Sequence, residues 1–180
     1  MKSFTLVLLM SLALLPGSGC KGRNSGVGLD QFVGTWKATH TIADTRGIRI
    51  STGTLTVKQP AADTVSLGES SSVVTGVGPF GVPNTETKSF ELSLKKVAAD
   101  KYLLNFKVDS EAVLTDLPLS YSDSDGFQGR QMVTLDGKEQ PMTASIKKQG
   151  SGYVWKISAE QGSGPKRHYQ FELTEKTSGS

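Results

Sequence analysis

The chain has 180 residues, with 20 Lys and Arg against 17 Asp and Glu and a single cysteine. The charges are interspersed in runs no longer than pairs such as Lys95-Lys96, so the clustered basic footprint of a nucleic-acid-binding protein is missing. One cysteine excludes a disulfide within the chain, and the length suits one domain.

Residues 1–19 have the composition of a secretory signal. Lys2 gives a positively charged start, residues 4–15 form an apolar run too short to span a membrane as a helix, and small residues precede Cys20. This arrangement resembles the lipobox of bacterial lipoproteins, with Gly17 where that family usually has leucine. The resemblance implies that Cys20 is lipidated and anchors the protein in the bacterial cell envelope. The alternative is ordinary cleavage near Gly19, which leaves a secreted or periplasmic protein with a free thiol.

Cys20 is followed by Lys21 and not by the aspartate that retains many enterobacterial lipoproteins in the inner membrane. The resemblance therefore implies the outer membrane. The Gly-rich and polar composition predicts a flexible tether at residues 20–30 and a disordered tail at residues 177–180.

Between these termini, apolar and polar residues alternate with period two, which is typical of antiparallel strands with one wet face. Turn residues separate about ten such strands between residues 31 and 176. The pattern allows a sandwich or a closed meander barrel. We favour the all-β antiparallel barrel, because short connections join neighbouring strands in order and closure removes exposed edges. The clearest inward face comprises Phe90, Leu92, Leu94, Tyr102, Leu104, Phe106, Val108, Met142, Ala144, Ile146, Tyr153, Trp155, Ile157, Ala159, Tyr169, Phe171 and Leu173.

Residues 70–87 interrupt this alternation with a Gly- and Pro-rich sequence. We interpret the segment as a loop or an edge excursion at a barrel mouth. Phe80, near its middle, is the candidate for gating that mouth.

Gly34 and Trp36 form a Gly-x-Trp at the start of the first predicted strand, and the predicted C-terminal strand supplies a basic residue, Arg167. In an all-β chain this combination resembles the calycin superfamily, the lipocalins and fatty-acid-binding proteins. In that family an arginine of the last strand packs across the first-strand tryptophan and helps to close the barrel. The resemblance implies a lipocalin-like barrel closed by Gly34, Trp36 and Arg167, with guanidinium stacking worth about 0.5–2 kcal/mol.

The resemblance also covers Arg167 and Tyr169, which match the Arg-x-Tyr by which fatty-acid-binding proteins hold a carboxylate. Two family features have no counterpart here. The sequence pattern contains neither the helix that follows the later strands of lipocalins nor the helix pair between the first two strands of fatty-acid-binding proteins.

His40 and Arg167 face inward by the period-two count, and each has two interpretations. His40 is either a ligand contact, including an iron ligand of haem, or a partly buried side chain bonded to a neighbour; no second metal ligand is visible nearby. Arg167 either closes the barrel against Trp36 or captures an anion in a cavity, because an inward guanidinium must find a partner.

No motif indicates catalysis. The acidic residues 122–126 favour a hairpin turn over a calcium loop, since Tyr121 and Met132 stand where an EF-hand needs an oxygen ligand and a glutamate. Gly-x-Ser-x-Gly, phosphate loops, metal-ligand spacings and paired inward carboxylates are missing from the sequence. We expect no enzymatic activity, no cofactor and no bound metal.

Two functions fit this sequence. The first is binding of a small hydrophobic or amphipathic ligand at the barrel mouth, with His40, Phe80, Arg167 and Tyr169 as candidate contacts. The second is a structural or interaction protein of the cell envelope whose barrel is filled by its own side chains.

Overall fold

The computed structural model describes residues 27–135, 137–159 and 167–177, and within β3 the side chains of residues 72–75 are left out of that description. The predicted signal, the lipidation of Cys20 and residues 178–180 of the tail lie outside the described residues. No helix of the described part is long and apolar enough to cross a membrane.

Ten antiparallel strands form one closed barrel in which each strand pairs with its neighbours in sequence and β1 also pairs with β10. The predicted all-β meander barrel with about ten strands is therefore confirmed. The strands are β1 (Gly34–Asp44), β2 (Gly47–Ala61), β3 (Thr64–Val77), β4 (Pro83–Lys96), β5 (Lys101–Val108), β6 (Glu111–Ser122), β7 (Gly126–Leu135), β8 (Lys138–Gln149), β9 (Gly152–Ala159) and β10 (His168–Lys176).

The alternation of the sequence sets the direction of the side chains in the barrel wall. Successive residues of a strand point to opposite faces, so one residue in two enters the interior. Of the residues on this predicted inward face, all are buried except Tyr153 and Ala159, which are partly buried and pack against the core. Arg167, also predicted inward, is partly buried.

A short 3₁₀ turn, Leu29–Phe32, closes the end of the barrel where β1 begins. Phe32 is fully buried, and its ring lies 4.7 Å from that of Tyr153 and 5.2 Å from that of Trp155, centre to centre. Tyr102 donates a hydrogen bond from Oη to the carbonyl oxygen of Val27 at 2.8 Å. The predicted tether of residues 20–30 is therefore too long, because the chain from Val27 onward is already packed against this closed end.

The opposite, open end carries a long two-stranded extension, the arm, which comprises residues 68–89. The prediction of a loop over residues 70–87 is wrong: β3 and β4 pair with each other as far as Val77 and Pro83. The pairing of β3 with β2 ends at Val57 and Leu67, and that of β4 with β5 begins at Phe90. The arm therefore leaves the barrel wall, as the edge excursion predicts, and a gap separates it from the first half of β2.

The C-terminal strand ends beside β1. Thr177 donates hydrogen bonds from its backbone N–H and from Oγ1 to the carbonyl oxygen of Thr35, at 2.8 and 3.1 Å. The predicted disordered tail of residues 177–180 is thus wrong at its first residue, which continues the pairing of β10 with β1.

Candidate functional site

The Gly-x-Trp pair lies at the closed end, where backbone and side chains fix the first strand. Trp36 donates from Nε1 to the carbonyl oxygen of Phe32 at 2.8 Å, so the buried indole N–H is satisfied. Gly34 has φ +136°, a conformation that only glycine adopts without strain. A side chain at Gly34 would also crowd Lys176, whose Cε lies 3.3 Å from the position of a Cβ atom.

The basic residue over Trp36 is Lys176, whose Nζ lies 5.1 Å from the ring centre. The prediction that Arg167 packs across Trp36 is wrong, because β1 and β10 are antiparallel and pair Trp36 with Lys176 and Ala43 with His168. Arg167 lies about 30 Å farther along the strand, at about 3.3 Å per residue. The antiparallel pairing of the two terminal strands could have predicted Lys176, because the first residues of β1 then lie beside the last residues of β10.

The interior of the barrel is filled by its own aromatic side chains. Phe106 of β5 lies across the barrel from β10, with its ring 4.8 Å from that of Tyr169 and 5.7 Å from that of Phe171. Phe171 in turn lies 4.8 Å from Phe90. Bulky rings therefore meet at the axis of the barrel.

A cleft of about 360 Å³ lies at the open end of the barrel, between the β1–β2 hairpin and the arm. His40, Ile42 and Phe90 are buried and form its apolar floor, while Arg49 and Lys88 bring cationic groups to its rim. The complete lining comprises His40, Ile42, Arg49, Ser51, Glu69, Ser71, Lys88, Ser89 and Phe90. The cleft exists because β2 and β3 separate beyond Val57 and Leu67, which leaves a gap in the barrel wall.

His40 stands at the floor of this cleft as an uncharged aromatic group. Its ring lies 4.8 Å from Phe90 and 6.1 Å, nearly parallel, from Phe171. Burial lowers the pKa of His40 below its ordinary value, and this effect outweighs the nearby Glu69 carboxylate, which raises it. The 3.7 Å between His40 Nε2 and Glu69 Oε2 is too long for a hydrogen bond, so at neutral pH these groups are neighbours without a charge pair.

Arg49 and Asp109 connect the β1–β2 hairpin to the β5–β6 turn across the open end. Nη1 of Arg49 donates to both carboxylate oxygens of Asp109 at 3.2 Å, and Arg46 Nη1 lies 3.4 Å from the same carboxylate. Burial acts to raise the pKa of Asp109, but the N–H of Ser89 and the two arginines outweigh it, so this pKa is lowered. Nη2 of Arg49 is shielded from solvent and has no hydrogen-bond acceptor among the described residues.

Among the four predicted ligand contacts, His40 lines the cleft and the other three do not. Tyr169 is fully buried beside Phe106, so the structure places it in the core. Burial raises the pKa of Tyr169, and the adjacent Arg167 guanidinium opposes that effect. Phe80 lies at the tip of the arm, fully exposed and away from the cleft that it was predicted to gate. Sequence reasoning missed Arg49 and Lys88, because their convergence depends on the separation of the arm from β2.

In the described part of the chain no group of three or more His, Cys, Asp and Glu side chains is placed to hold a metal ion. The acidic residues 122–126 form the β6–β7 hairpin turn, in which Asp125 Oδ2 accepts hydrogen bonds from Ser122 and Ser124 at 3.2 and 2.8 Å. This local bonding supports the hairpin interpretation.

These features define a class of protein, a closed ten-stranded antiparallel barrel with a filled interior and a cleft at its open end. Neither the family models nor the curated proteins contain a match to this chain. Among solved structures, the chain is similar to a redesigned β-barrel at 11% identity and a TM-score of 0.38, over 82% of this chain and 94% of that chain. Similarity at this level carries no information about function.

Proposed function

We propose that this protein binds a small amphipathic molecule in the cleft at the open end of its barrel. The observation that carries the proposal is the gap between β2 and the arm, floored by apolar side chains and lined by the charged side chains of Arg49, Lys88 and Glu69. Ligand sites combine this apolar lining with a few convergent polar groups. The volume of about 360 Å³ lies near the lower end of the range of about 300–1,000 Å³ for such sites, which indicates a small ligand.

The polar part of the ligand is assigned to the Arg49 side of the cleft. Nη1 of Arg49 donates a hydrogen bond to Asp109, while Nη2 of Arg49 has no acceptor among the described residues. A buried donor without a partner is costly, and an oxygen of a bound carboxylate or similar head group would satisfy it. The apolar part would then cover Ile42 and Phe90.

The test uses two variants of neighbouring residues that face opposite sides of the arm. Ser71 lines the cleft, whereas Ser70 faces the other side and lines a separate surface depression. The chain from Gly22 onward, produced in a bacterial periplasm, is weighed by mass spectrometry under native and denaturing conditions. We expect a non-covalent adduct in the parent protein and in Ser70→Trp, but none in Ser71→Trp.

If no adduct forms in the parent protein, fatty acids and haem are added and the measurement is repeated. Absence of uptake, or equal uptake by Ser71→Trp, would refute binding in the cleft.

The second candidate function is a structural or interaction protein with a filled barrel. The aromatic contacts across the axis, such as Phe106 with Tyr169 at 4.8 Å, favour it, since these side chains occupy interior space that a ligand would need. Under this hypothesis the protein acts through its outer surface, and substitutions in the cleft leave its cellular role unchanged. In neither function do we assign an enzymatic step or a cofactor to the chain.

We further propose that Cys20 is lipidated and that the protein is attached to the bacterial outer membrane. Support comes from the signal-like residues 1–19 and from the position of the cysteine directly after small residues. Labelling of cells with a clickable palmitate analogue tests this directly. Incorporation should be lost in Cys20→Ser, and equal incorporation in both proteins would refute lipidation at this residue.

A further inference from the structure

The tip of the arm exposes apolar side chains in every direction. Phe80 is fully exposed at the apex, and Val77 and Val82 are 73% and 62% exposed. Val77 pairs with Pro83 and shares its face, whereas Val82 is extended and precedes Pro83, so it points to the opposite face. A partner protein with a flat surface would cover only one face of such a ribbon. A fluid apolar medium would cover both faces and the apex.

The backbone of the tip is suited to leaving water. The N–H groups of Gly78 and Gly81 are bonded within the turn, to Val82 O at 2.7 Å and to Gly78 O at 3.3 Å. Pro79 and Pro83 have no N–H group to desolvate. Two of the four N–H groups in residues 78–82 are therefore satisfied within the turn, which lowers the cost of moving it into the lipid interface.

The distribution of charge along the arm matches the profile of a bilayer surface. No charged residue occurs between Glu69 and Glu86, which covers the whole tip. On β4 charges begin midway along the arm with Glu86 and continue with Lys88, whose Nζ lies 2.7 Å from Glu86 Oε1, and on β3 the nearest charge is Glu69 at the base. From Pro83 to Glu86 the strand covers about 10 Å, at about 3.3 Å per residue. This length is comparable to the depth of about 5–10 Å at which apolar faces enter the lipid interface.

From these observations we propose that the tip of the arm, Val77, Phe80 and Val82, inserts into the interfacial region of a lipid bilayer. The contact is apolar, because the uncharged tip offers nothing to an anionic head group. It is independent of ligand binding, since none of the three residues lines the cleft. It is also distinct from a lipid anchor, because Val27 is held at the closed end, opposite the arm.

The test uses the chain from Gly22 onward, which lacks Cys20 and retains the complete barrel core. Phe80→Trp introduces an exposed indole, while the native Trp36 and Trp155 are buried and do not meet lipid. Vesicles of phosphatidylcholine, alone or with phosphatidylglycerol, are added at low and high salt. The emission of the introduced indole should shift to shorter wavelength on both vesicles at both salt concentrations, and spin-labelled lipid should quench it.

Co-sedimentation of the unsubstituted chain with the same vesicles provides the matched comparison. Phe80→Ser should lower the partition coefficient at least tenfold, whereas Met132→Ser, at an exposed apolar side chain of β7, should change it less than twofold. Ser71→Trp, which fills the cleft, should leave vesicle binding intact, so failure of cleft binding and failure of this proposal are distinguishable.

Three outcomes would overturn the insertion of the tip. In the first, the emission of the introduced indole does not change at saturating lipid. In the second, Phe80→Ser binds vesicles as well as the parent. In the third, the emission changes with protein concentration in the absence of lipid, which would show that a second copy of the chain covers the tip.

Discussion

Lys176 extends its side chain over the indole of Trp36, with Nζ 5.1 Å from the ring centre, where the last strand of the barrel meets the first. The pair lies at the closed end of the barrel. The ring of Tyr153, on β9, lies 5.7 Å from the ring of Trp36, centre to centre. The two termini of the barrel are therefore joined by backbone pairing and by a cation–π contact.

Replacing Lys176 by methionine should lower the free energy of unfolding by about 0.5–1 kcal/mol, because the exposed cation–π contact is lost while most of the stem remains. Lys176→Arg should retain the stability. The matched control is Lys37→Met, since Lys37 forms an exposed ion pair with Glu175 at 2.7 Å that contributes little. Urea denaturation of the three variants measures the differences. Equal losses for both methionine variants would contradict the contact with Trp36.

Gly34→Ala should destabilise the barrel by about 1–3 kcal/mol, because φ +136° is strained for any residue with a Cβ atom. The side chain would also displace Lys176. Gly53→Ala in β2 is the control: an added Cβ atom there meets no atom within 4 Å, and its φ is outside the strained range. Thermal unfolding of both variants provides the comparison. A Gly34→Ala protein as stable as Gly53→Ala would show that the first residue of the Gly-x-Trp has no conformational role.

Sequence alone predicts the barrel well, because its strongest signal is local. Alternation in residues such as Phe90, Leu92 and Leu94 requires no knowledge of distant contacts, and short connections between neighbouring strands favour a closed barrel over a sandwich. The residue that packs over Trp36 could not be predicted in the same way, because it depends on the register between β1 and β10, which are far apart in sequence. Arg167, directly before β10, and Lys176, at the end of β10, are both basic, so residue type could not choose between them.

The cleft could not be predicted from the sequence, for a different reason. It depends on where β3 leaves β2, and nothing in the alternation of either strand marks Val57 and Leu67 as their last shared pair before the gap. The inward direction of His40 was predicted from the period-two alternation of β1 alone. Arg49 and Lys88 converge on it only because the arm separates from the barrel wall.

Asp109→Asn should lower stability at pH 7 by about 1–2 kcal/mol, because it removes the negative charge that pairs with Arg46 and one of the two oxygens that accept hydrogen bonds from Arg49. Asparagine tolerates the φ of +50° at this position, so the variant isolates the charge. Glu111→Gln is the control, since its carboxylate is 78% exposed and its pair with Arg46 contributes below about 0.5 kcal/mol.

The lowered pKa of Asp109 adds a pH dependence to this comparison. The ionised Asp109 contributes fully to the free energy of unfolding above pH 3.8, the ordinary pKa of the group. This contribution is lost as the pH falls through the lower pKa that Asp109 has in the folded protein. The parent and Asp109→Asn should therefore converge in stability in strong acid. A difference that stays constant down to that range would contradict the ion pairs.

His40 should make the barrel less stable below pH 6.5. Burial lowers its pKa in the folded state below the ordinary value of 6.5, so between those two values the unfolded chain binds more protons. Stability then rises with pH through this window and becomes independent of His40 above it. Denaturation of the parent and of His40→Gln between pH 5 and 8 measures the slope. An unchanged slope in His40→Gln would show that His40 does not titrate as a buried group.

The most direct test of the central claim is a titration of the ¹⁵N-labelled chain from Gly22 onward with dodecanoate, an apolar chain with one carboxylate. The account predicts saturable amide shifts along the walls of the cleft, at residues 49–51, 69–71 and 88–90. The same titration of Ser71→Trp should show no saturable shifts there. Shifts confined to the closed end around Phe32, or none at all with dodecanoate and with haem, would contradict ligand binding at the open end and leave the filled barrel as the better description.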